Sequence, residues 1–345
     1  MNLKIRLTAS ESTTAEVLYK VFDLETGAVA DVRKSDFLNG TYSCLRDYSE
    51  FSKHPLAIAN GVTFSTDLRE VFIWTDLTND VAYSTTKLVL RRIPAKNVEW
   101  SQGAASADMN FQEGETAHPV RLKQDYYIGV FEMTKKQCEL VTDNACSGNG
   151  DNCPVVNCEF ATIRDAGTWP NVSDPVAAHT VGETTILGKL RAKFNNAFAF
   201  DLPTEAQWEF ACRAGTTGAI YTSPNNTPRT NTPYLNHANV ICWHKGNSGR
   251  TPQPVGGLLP NAFGLYDMYG NVMEYCLDRY ATYEDNGYTT GALVEDPVGA
   301  LSGDARVLRV NMSAYHEYKQ VRSASRATLG RADLSGFRVC LPAED

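Results

Sequence analysis

Several features that mark common protein classes are missing from this chain of 345 residues. No run of lysine and arginine is longer than two residues and the formal net charge is -8, so an interface for nucleic acid or for an anionic membrane surface is not expected. No apolar stretch approaches the roughly 20 residues that a membrane-spanning helix needs. The polar start of the chain is unlike a signal peptide. We therefore expect a chain that is soluble as given, with its compartment open, export and surface attachment included.

The cysteines lack the spacing of a zinc site. The chain has nine cysteines and six histidines, but it has no CxxC pair, and no histidine stands within the one cluster of cysteines. In that cluster, Cys146 and Cys153 flank a loop rich in glycine and asparagine, which one disulfide could close. The cluster comprises Cys138, Cys146, Cys153 and Cys158. The other five cysteines stand singly among apolar or aromatic neighbours, which is typical of buried thiols.

The first part of the chain differs in pattern from the rest. Short alternating or apolar segments, separated by glycine, asparagine and aspartate, predict strands and turns that would form a small β-sandwich. We predict a β-rich N-terminal domain over residues 1–98, a polar linker over 99–123 and a second domain over 124–345. No catalytic residues cluster in the first domain, which favours a role as a spacer, in docking or in surface attachment.

Two short helices are predicted from capping signals. Thr134 precedes the segment KKQCELV, and Thr204 follows Pro203, which is expected at the first helical position of a second helix. In that second helix, large apolar residues are expected to face the core, and Glu205 and Glu209 are expected to face solvent.

Residues 261–275 read NAFGLYDMYGNVMEY and combine two glycines with two carboxylates. Gly264 and Gly270 allow the backbone to turn sharply, and Asp267 and Glu274 supply oxygens. Such a segment suits either a hard cation or a loop that caps itself with hydrogen bonds.

Five motifs occur together in one order: FEMTKKQ, LPTEAQWEFACRAG, NAFGLYDMYGNVMEY, RVLR followed by RSASR, and SGFRV. In order and spacing they resemble the formylglycine-generating enzyme and sulfatase-modifying factor family, over residues 100 to 342. The resemblance implies an irregular α+β fold of the C-type-lectin-like kind, with a small twisted sheet, two helices and much loop. The predicted β-sandwich would precede it.

The resemblance also implies which chemistry to look for. Oxidases of the family hold Cu(I) with two cysteines, five residues apart, between the RVLR and RSASR motifs. In this chain the aligned positions fall near Tyr315 and Gln320, and the segment contains no thiol. Because a soft ion such as Cu(I) requires thiolates, no copper is expected. The iron-dependent branch needs a histidine cluster, and the six histidines of this chain are scattered.

A structural calcium site is implied at the loop 261–275. By position in the family, Asp267 and Glu274 would bind through side-chain oxygens, and Met268, Gly270 and Val272 through backbone carbonyls. Calcium takes six to eight oxygen ligands of these kinds.

Two C-terminal stretches are predicted to bind a ligand: the first over residues 310–320 and the second over residues 325–335. They combine tyrosine with small polar residues, as adaptable binding loops do. The candidate ligand-binding residues are Asn311, Tyr315, His316, Tyr318, Ser325, Thr328, Leu329, Arg331 and Asp333. Their placement resembles the variable proteins of diversity-generating retroelements, which implies a non-catalytic protein that binds a protein or glycan. The alternative is an oxidoreductase of the formylglycine-generating type, or an accessory subunit of one.

Overall fold

The computed structural model describes residues 15–64, 69–105, 111–165, 169–170, 179–222, 232–309, 321–328 and 334–343. The helices are α1 (Lys34–Leu38), α2 (Pro55–Asn60), α3 (Ala82–Thr85), α4 (Lys135–Thr142), α5 (Phe160–Ile163), α6 (Ile186–Lys193), α7 (Glu205–Arg213) and α8 (Thr232–Ile241), with 3-10 turns at Tyr48–Lys53 and Thr75–Thr78. The strands are β1 (Val17–Asp23), β2 (Val29–Arg33), β3 (Cys44–Asp47), β4 (Arg69–Trp74), β5 (Lys87–Ile93), β6 (Glu99–Gln102), β7 (His118–Arg121), β8 (Tyr126–Gly129), β9 (Cys242–Trp243), β10 (Tyr269–Gly270), β11 (Met273–Arg279), β12 (Val294–Glu295), β13 (Arg306–Arg309), β14 (Arg326–Ala327), β15 (Ser335–Gly336) and β16 (Cys340–Pro342). None of the helices in these ranges is long and apolar enough to cross a membrane.

The largest sheet joins the start, the middle and the end of the chain. Its five antiparallel strands lie in the order β16-β8-β5-β1-β2. Leu90 of β5 lies opposite Gly129 of β8, and Ile128 of β8 lies opposite Cys340 of β16. The central strand β5 is therefore paired on both edges, by β1 on one side and by β8 on the other.

This sheet bears on the predicted division of the chain. Three of the strands before residue 98, β1, β2 and β5, share one sheet with β8 and β16, because β5 pairs directly with β8. The other two, β3 and β4, pair with each other in a sheet of their own. The stretch 99–123, predicted as a linker, contains β6 and β7, which pair with each other. Polar residues in that stretch were misleading, since β6 alternates buried and exposed side chains and its buried Trp100 packs in the core. The domain boundaries themselves stay a prediction.

The apolar core also spans both predicted domains. One cluster of buried side chains contains Tyr48 and Ile73 from the first part of the chain and Trp208, Tyr269 and Val307 from the second. Trp208 is fully buried, as its place in the helix pattern predicted. Burial of large aromatic side chains is the main stabilising contribution in such a core.

The two predicted capping motifs are present. Thr134 accepts a hydrogen bond from the backbone of Gln137, whose side chain in turn accepts from the backbone of Thr134 at the start of α4. Thr204 and Gln207 repeat this arrangement at the start of α7. Pro203 precedes the cap rather than occupying the first helical position. Two orphan backbone donors are satisfied in each helix, which explains why such short helices have sharp starts.

The disulfide differs from the pairing that the sequence suggested. Cys146 is bonded to Cys138, with Cα atoms 6.2 Å apart, and Cys153 is a buried free thiol. Cys138 lies in α4, and the chain turns back directly after that helix, which brings Cys146 within bonding distance.

A four-stranded sheet, in the order β14-β13-β11-β15, positions the two C-terminal stretches. Arg309, the last residue of β13, lies opposite Arg326 of β14 and opposite Glu274 of β11. The first stretch therefore begins at the Glu274 end of the sheet. Ser335, at the end of the second stretch, pairs with Met273 at that same end of β11. One end of each stretch is thus held at a common edge.

Candidate functional site

A network of buried ion pairs lies beneath the C-terminal stretches. Arg309 donates to Glu205 and to Glu209, at 2.8 Å in each case. Arg326 binds Glu205 with two hydrogen bonds, of 2.8 and 2.7 Å. Glu209 also accepts from Arg213, one turn further along α7, at 2.8 Å. Three guanidinium groups thus face two carboxylates that stand four residues apart on one face of α7.

The expectation that Glu205 and Glu209 face solvent was wrong. The two side chains are 2% and 0% exposed, and the arginine that bridges them is fully buried. The polarity pattern of a helix predicts that charged residues lie at the surface, because burying an unpaired charge costs much free energy. The arginines of the RVLR and RSASR motifs were the signal in the sequence that could have indicated buried carboxylates, because they supply the positive charges that make such burial possible.

A second buried pair holds the chain just after the first C-terminal stretch. Arg322 donates to Glu115, with Nη2 2.8 Å from Oε2, and both side chains are 2% exposed. The next residue, Ser323, donates its backbone N–H to the carbonyl of Ala219 at 2.7 Å. Arg309 before the first stretch and Arg322 after it are therefore both anchored by charge.

The ion pairs keep Glu209 charged. Burial by itself would raise the pKa of Glu209, but the charges of Arg213 and Arg309, together with the N–H of Gly103, outweigh it and lower the pKa. A carboxylate held ionised by arginines acts as a structural anchor. The network therefore fixes the bases of the stretches.

Most of the candidate ligand-binding residues lie outside the described residues. Those residues are Asn311, Tyr315, His316, Tyr318, Leu329, Arg331 and Asp333. Thr328 is exposed, and its role in ligand binding stays a prediction. Ser325 is only 1% exposed, so it packs below the surface instead of being displayed. Its position between the anchored Arg322 and Arg326 explains this burial.

The loop 261–275 is tied to α7 by its first residue. Asn261 donates its side-chain amide to the carbonyl of Ala211 at 2.7 Å and accepts from the backbone N–H groups of Phe263 and Leu265. Further along, Gly270 has a φ of +85°, and a Cβ there would lie 2.2 Å from the carbonyl oxygen of Trp243. The loop is thus a tightly packed turn that closes on its own hydrogen bonds.

Glu274 is neutralised by an arginine. Arg338, from the SGFRV motif, donates to both of its carboxylate oxygens, at 2.9 and 3.1 Å. The indole of Trp208 donates to one of them at 2.8 Å. All three side chains are fully buried. The fold therefore links α7, the loop 261–275 and the C-terminal segment through one carboxylate.

Of the two carboxylates that the resemblance implies as calcium ligands, only Asp267 has an oxygen without a hydrogen-bond partner among the described residues. Its Oδ2 accepts from the backbone of Gly256 at 2.7 Å, and its buried Oδ1 has no hydrogen-bond partner in the described part of the chain. Glu274, in contrast, directs its oxygens to Arg338 and Trp208. Across the described ranges, no group of three or more histidine, cysteine, aspartate or glutamate side chains could hold a metal ion. Calcium therefore stays a prediction, with Asp267 as the one side chain that fits.

The fold is similar to that of two solved proteins. Treponema denticola variable protein 1 superposes with a TM-score of 0.55 at 23% identity, covering 74% of this chain and 96% of that one. PvdO from Pseudomonas aeruginosa superposes with a TM-score of 0.54 at 18% identity, covering 74% and 94%. At these identities the likeness concerns the fold alone, and it confirms the α+β, C-type-lectin-like class.

Curated relatives match in sequence. A formylglycine-generating enzyme of Thermomonospora curvata is 36% identical over 119 residues, covering 34% of this chain and 39% of that protein. The formylglycine-generating enzyme of Bos taurus is 30% identical over 196 residues, covering 51% of each. The chaperone protein LppX of Paenibacillus barcinonensis is 27% identical over 190 residues, covering 46% and 63%. The chain spans about half the length of the curated relatives it matches.

The family that the sequence motifs indicated is confirmed. The sulfatase-modifying factor enzyme 1-like domain matches residues 90–343, which includes all five motifs and both anchored C-terminal stretches. This chain belongs to the sulfatase-modifying factor enzyme 1-like family.

Proposed function

We propose that the chain is a non-catalytic ligand-binding protein that contacts a protein or a glycan through its C-terminal stretches. The observation that carries this proposal is the absence of cysteine between Arg309 and Val321, where oxidases of the family hold copper with two thiolates. Cys340 follows in sequence, but it lies in β16 of the largest sheet and is buried.

The anchored bases of the stretches support a display role. Arg309 and Arg322 hold both ends of the first stretch by buried ion pairs, and Arg326 holds the start of the second. A rigid base lowers the entropy that a binding loop loses when it contacts a ligand. The amino acids of the stretches could then change without loss of the ion pairs that hold the ends of the stretches.

The fold likeness to Treponema denticola variable protein 1 supports a finer proposal, that this C-terminal region is diversified by a retroelement. The DNA that flanks the gene tests it. We expect a near-identical repeat that differs at adenines, beside a reverse transcriptase gene. Flanking DNA without such a repeat would rule out diversification but would leave ligand binding untouched.

Ligand binding is tested by a triple substitution. Tyr315→Ala, Tyr318→Ala and Arg331→Ala remove large contact area and one charge from the stretches. We expect this variant to lose binding to ligands identified by screening glycan and protein arrays with the native chain. The matched control replaces three exposed residues elsewhere, Ile58→Ala, Val81→Ala and Leu301→Ala, and should bind as the native chain does. Unchanged binding by the first variant would show that another surface is used.

The second candidate function is that of an oxidoreductase, or of an accessory subunit of one, and the formylglycine-generating relatives favour it. It is tested by titration with Cu(I) and by oxygen consumption in the presence of a cysteine-containing peptide. Tight copper binding with turnover would overturn the non-catalytic proposal. Co-purification with a relative that retains both copper-binding cysteines would instead support an accessory role.

A structural calcium ion is the remaining part of the proposal. Asp267 supports it, because a buried carboxylate oxygen without a partner is costly unless a ligand satisfies it. The ion would be held by Asp267 and by the backbone carbonyls of Met268, Gly270 and Val272, while Arg338 compensates the charge of Glu274.

A further inference from the structure

A cavity of about 460 Å³ lies beside the largest sheet. It is bounded by the residues just before β8, by β16, by the segment that leads into α7, and by the turn that follows β12. Its volume is in the range that small-molecule sites have in proteins. Among the described residues, none that line it belongs to β13, to β14 or to either C-terminal stretch, so it is separate from the proposed ligand-binding surface.

Most of the surface of the cavity is apolar, and several flat rings line it. Trp169 and Pro170 form part of one wall, with Leu202 and Pro297 also lining the cavity. Trp169 is 5% exposed, and its indole N–H donates to the carbonyl of Val298 at 3.3 Å, which fixes the orientation of the ring. Fixed aromatic and proline rings favour contact with a planar ligand.

Among the polar groups of the lining, His179 is held by a buried partner. His179 Nδ1 lies 2.9 Å from Asp201 Oδ2, and its ring centroid lies 5.1 Å from that of Trp169. Asp201 is 2% exposed and also accepts from Arg164 at 2.7 Å, so its charge is already compensated. Because a carboxylate oxygen accepts, Nδ1 of His179 donates to Asp201, and in the neutral ring Nε2 is then a hydrogen-bond acceptor. The side chain of His179 is 36% exposed, unlike that of its partner.

The charges of the lining disfavour an anionic ligand. Asp125, Asp201 and Asp296 are carboxylates of the lining. Asp125 is paired with Arg92 at 2.9 Å and Asp201 with Arg164, whereas Asp296 forms no ion pair with a lysine or arginine of the described ranges. Among the described lining residues Lys123 is the one lysine or arginine, and it is paired with Glu295 at 3.1 Å. The thiol of Cys340 also lines the cavity, and burial raises its pKa, so it stays protonated and unreactive. The cavity has the character of a binding site and not of a nucleophilic centre.

We propose that this cavity binds a neutral, planar aromatic molecule whose hydroxyl group donates a hydrogen bond to Nε2 of His179. The rings of Trp169, Pro170 and Pro297 contact the aromatic plane, and Asp296 disfavours the corresponding carboxylates. This site does not depend on the function proposed for the C-terminal stretches.

Three bicyclic probes test the proposal on the native chain, with isothermal titration calorimetry and saturation-transfer NMR as readouts. The probes are 2-naphthol, its methyl ether and 2-naphthoate. We expect saturable binding of 2-naphthol, binding of the ether that is about threefold to tenfold weaker because one neutral hydrogen bond is lost, and no saturable binding of the carboxylate. Absence of saturable 2-naphthol binding up to its solubility limit, or equal binding of 2-naphthoate, would overturn the proposal.

Variants locate the binding. His179→Phe keeps a flat ring and removes the acceptor, so it should lose the preference for 2-naphthol over its ether. Val298→Trp fills the cavity and should abolish binding of 2-naphthol and of its ether. Leu301→Trp is the control, because Leu301 is 65% exposed and outside the lining, and this variant should bind the two probes as the native chain does. A preserved preference in the first variant, or native binding in the second, would contradict the site. The probe comparison on the native chain decides the proposal even if a variant fails to fold.

Discussion

Arg338 is the cation that makes burial of Glu274 possible. The two side chains are fully buried and share two hydrogen bonds, and Arg338 also donates to the backbone carbonyls of Gly129, Val130 and Tyr266. Removing one partner of such a pair leaves an uncompensated charge in the interior, which costs far more than the pair itself contributes.

We therefore expect Arg338→Met to lower the free energy of unfolding by about 3 to 5 kcal/mol, measured by denaturant titration. The matched control is Arg46→Met, because Arg46 and its partner Glu70 are exposed and 3.9 Å apart, and it should change stability by less than about 1 kcal/mol. The double variant Glu274→Met, Arg338→Met should recover part of the loss. A single variant as stable as the control would show that Glu274 is compensated by another group.

Asp278 gives the chain a distinct dependence on pH. The pKa of Asp278 is raised to about 7, mainly by burial, and the negative charge of Glu205 acts in the same direction. The backbone N–H of Glu205 donates to Oδ2 of Asp278 at 2.7 Å, and this hydrogen bond acts to lower the pKa. Because the pKa in the folded state is above that in the unfolded state, the folded chain holds the proton more tightly. The contribution of Asp278 to stability is therefore complete at low pH and is lost as the pH rises towards 7.

Asp278→Asn mimics the protonated carboxyl and removes this dependence. We expect the stability of the variant relative to the native chain to rise between pH 4 and pH 7, by on the order of 4 kcal/mol, since one unit of pKa corresponds to about 1.4 kcal/mol. Denaturant titrations at a series of pH values measure this difference. Asp304→Asn, at an exposed position, is the control. A difference between variant and native chain that stays constant with pH would contradict the raised pKa.

The loop 261–275 depends on close approach of two backbone segments. Strand β10, within this loop, pairs in parallel with β9, and Gly270 lies opposite Trp243. A side chain at Gly270 would meet both a positive φ of +85° and the carbonyl of Trp243. Gly287 has a similar φ of +74°, but nothing lies within 4 Å of its missing Cβ.

Substitutions at these two glycines separate the cost of a positive φ from the cost of the contact with the Trp243 carbonyl. Gly287→Ala should lower the free energy of unfolding by about 1 kcal/mol, the cost of a positive φ alone. Gly270→Ala should lower it by clearly more, at least about 3 kcal/mol, because β9 and β10 must separate. Thermal and denaturant unfolding measure both. Equal effects would mean that the contact between the two strands is easily relaxed.

Chelation tests the calcium proposal in the same loop. With a bound ion, EDTA should lower the melting temperature, and added calcium should restore it, because a ligand of the folded state stabilises by mass action. Asp267→Asn should abolish this response, since Asp267 is the one side chain that fits the ion. If EDTA leaves the melting temperature of the native chain unchanged, hydrogen bonds alone hold the loop.

The largest sheet makes the N-terminal segment part of the whole fold. Strand β5 lies between β1 and β8, and Phe22, Leu88 and Leu90 pack in the same apolar cluster as Tyr127 of β8. Without residues 1–98, β8 would lose its pairing partner β5 and would expose this apolar face to water.

We expect residues 99–345, produced alone, to lack cooperative thermal unfolding and the near-ultraviolet circular dichroism of fixed aromatic side chains. Co-expression with residues 1–98 as a separate chain is the control, and it should restore both signals in part. A cooperative melt of 99–345 alone would instead show that the predicted domain boundary marks an independent folding unit.

The local signals in the sequence were sufficient for the family, the fold class and the starts of α4 and α7. Capping threonines act on residues three positions away, and Trp208 follows from helical periodicity, so both can be recognised without a partner. The motifs containing Asp267 and Glu274 likewise indicated a compact loop, and Gly270 is required there by the positive φ.

The tertiary structure alone decided which charges are buried and which strands pair. Glu205 and Glu209 pair with Arg309, about a hundred residues away in sequence, and β5 pairs with β8 across a predicted linker. The cavity beside His179 likewise combines segments far apart in the chain. Helix caps depend on neighbours in sequence, whereas ion pairs, strand order and cavities depend on contacts between distant segments, whose partners no local pattern specifies.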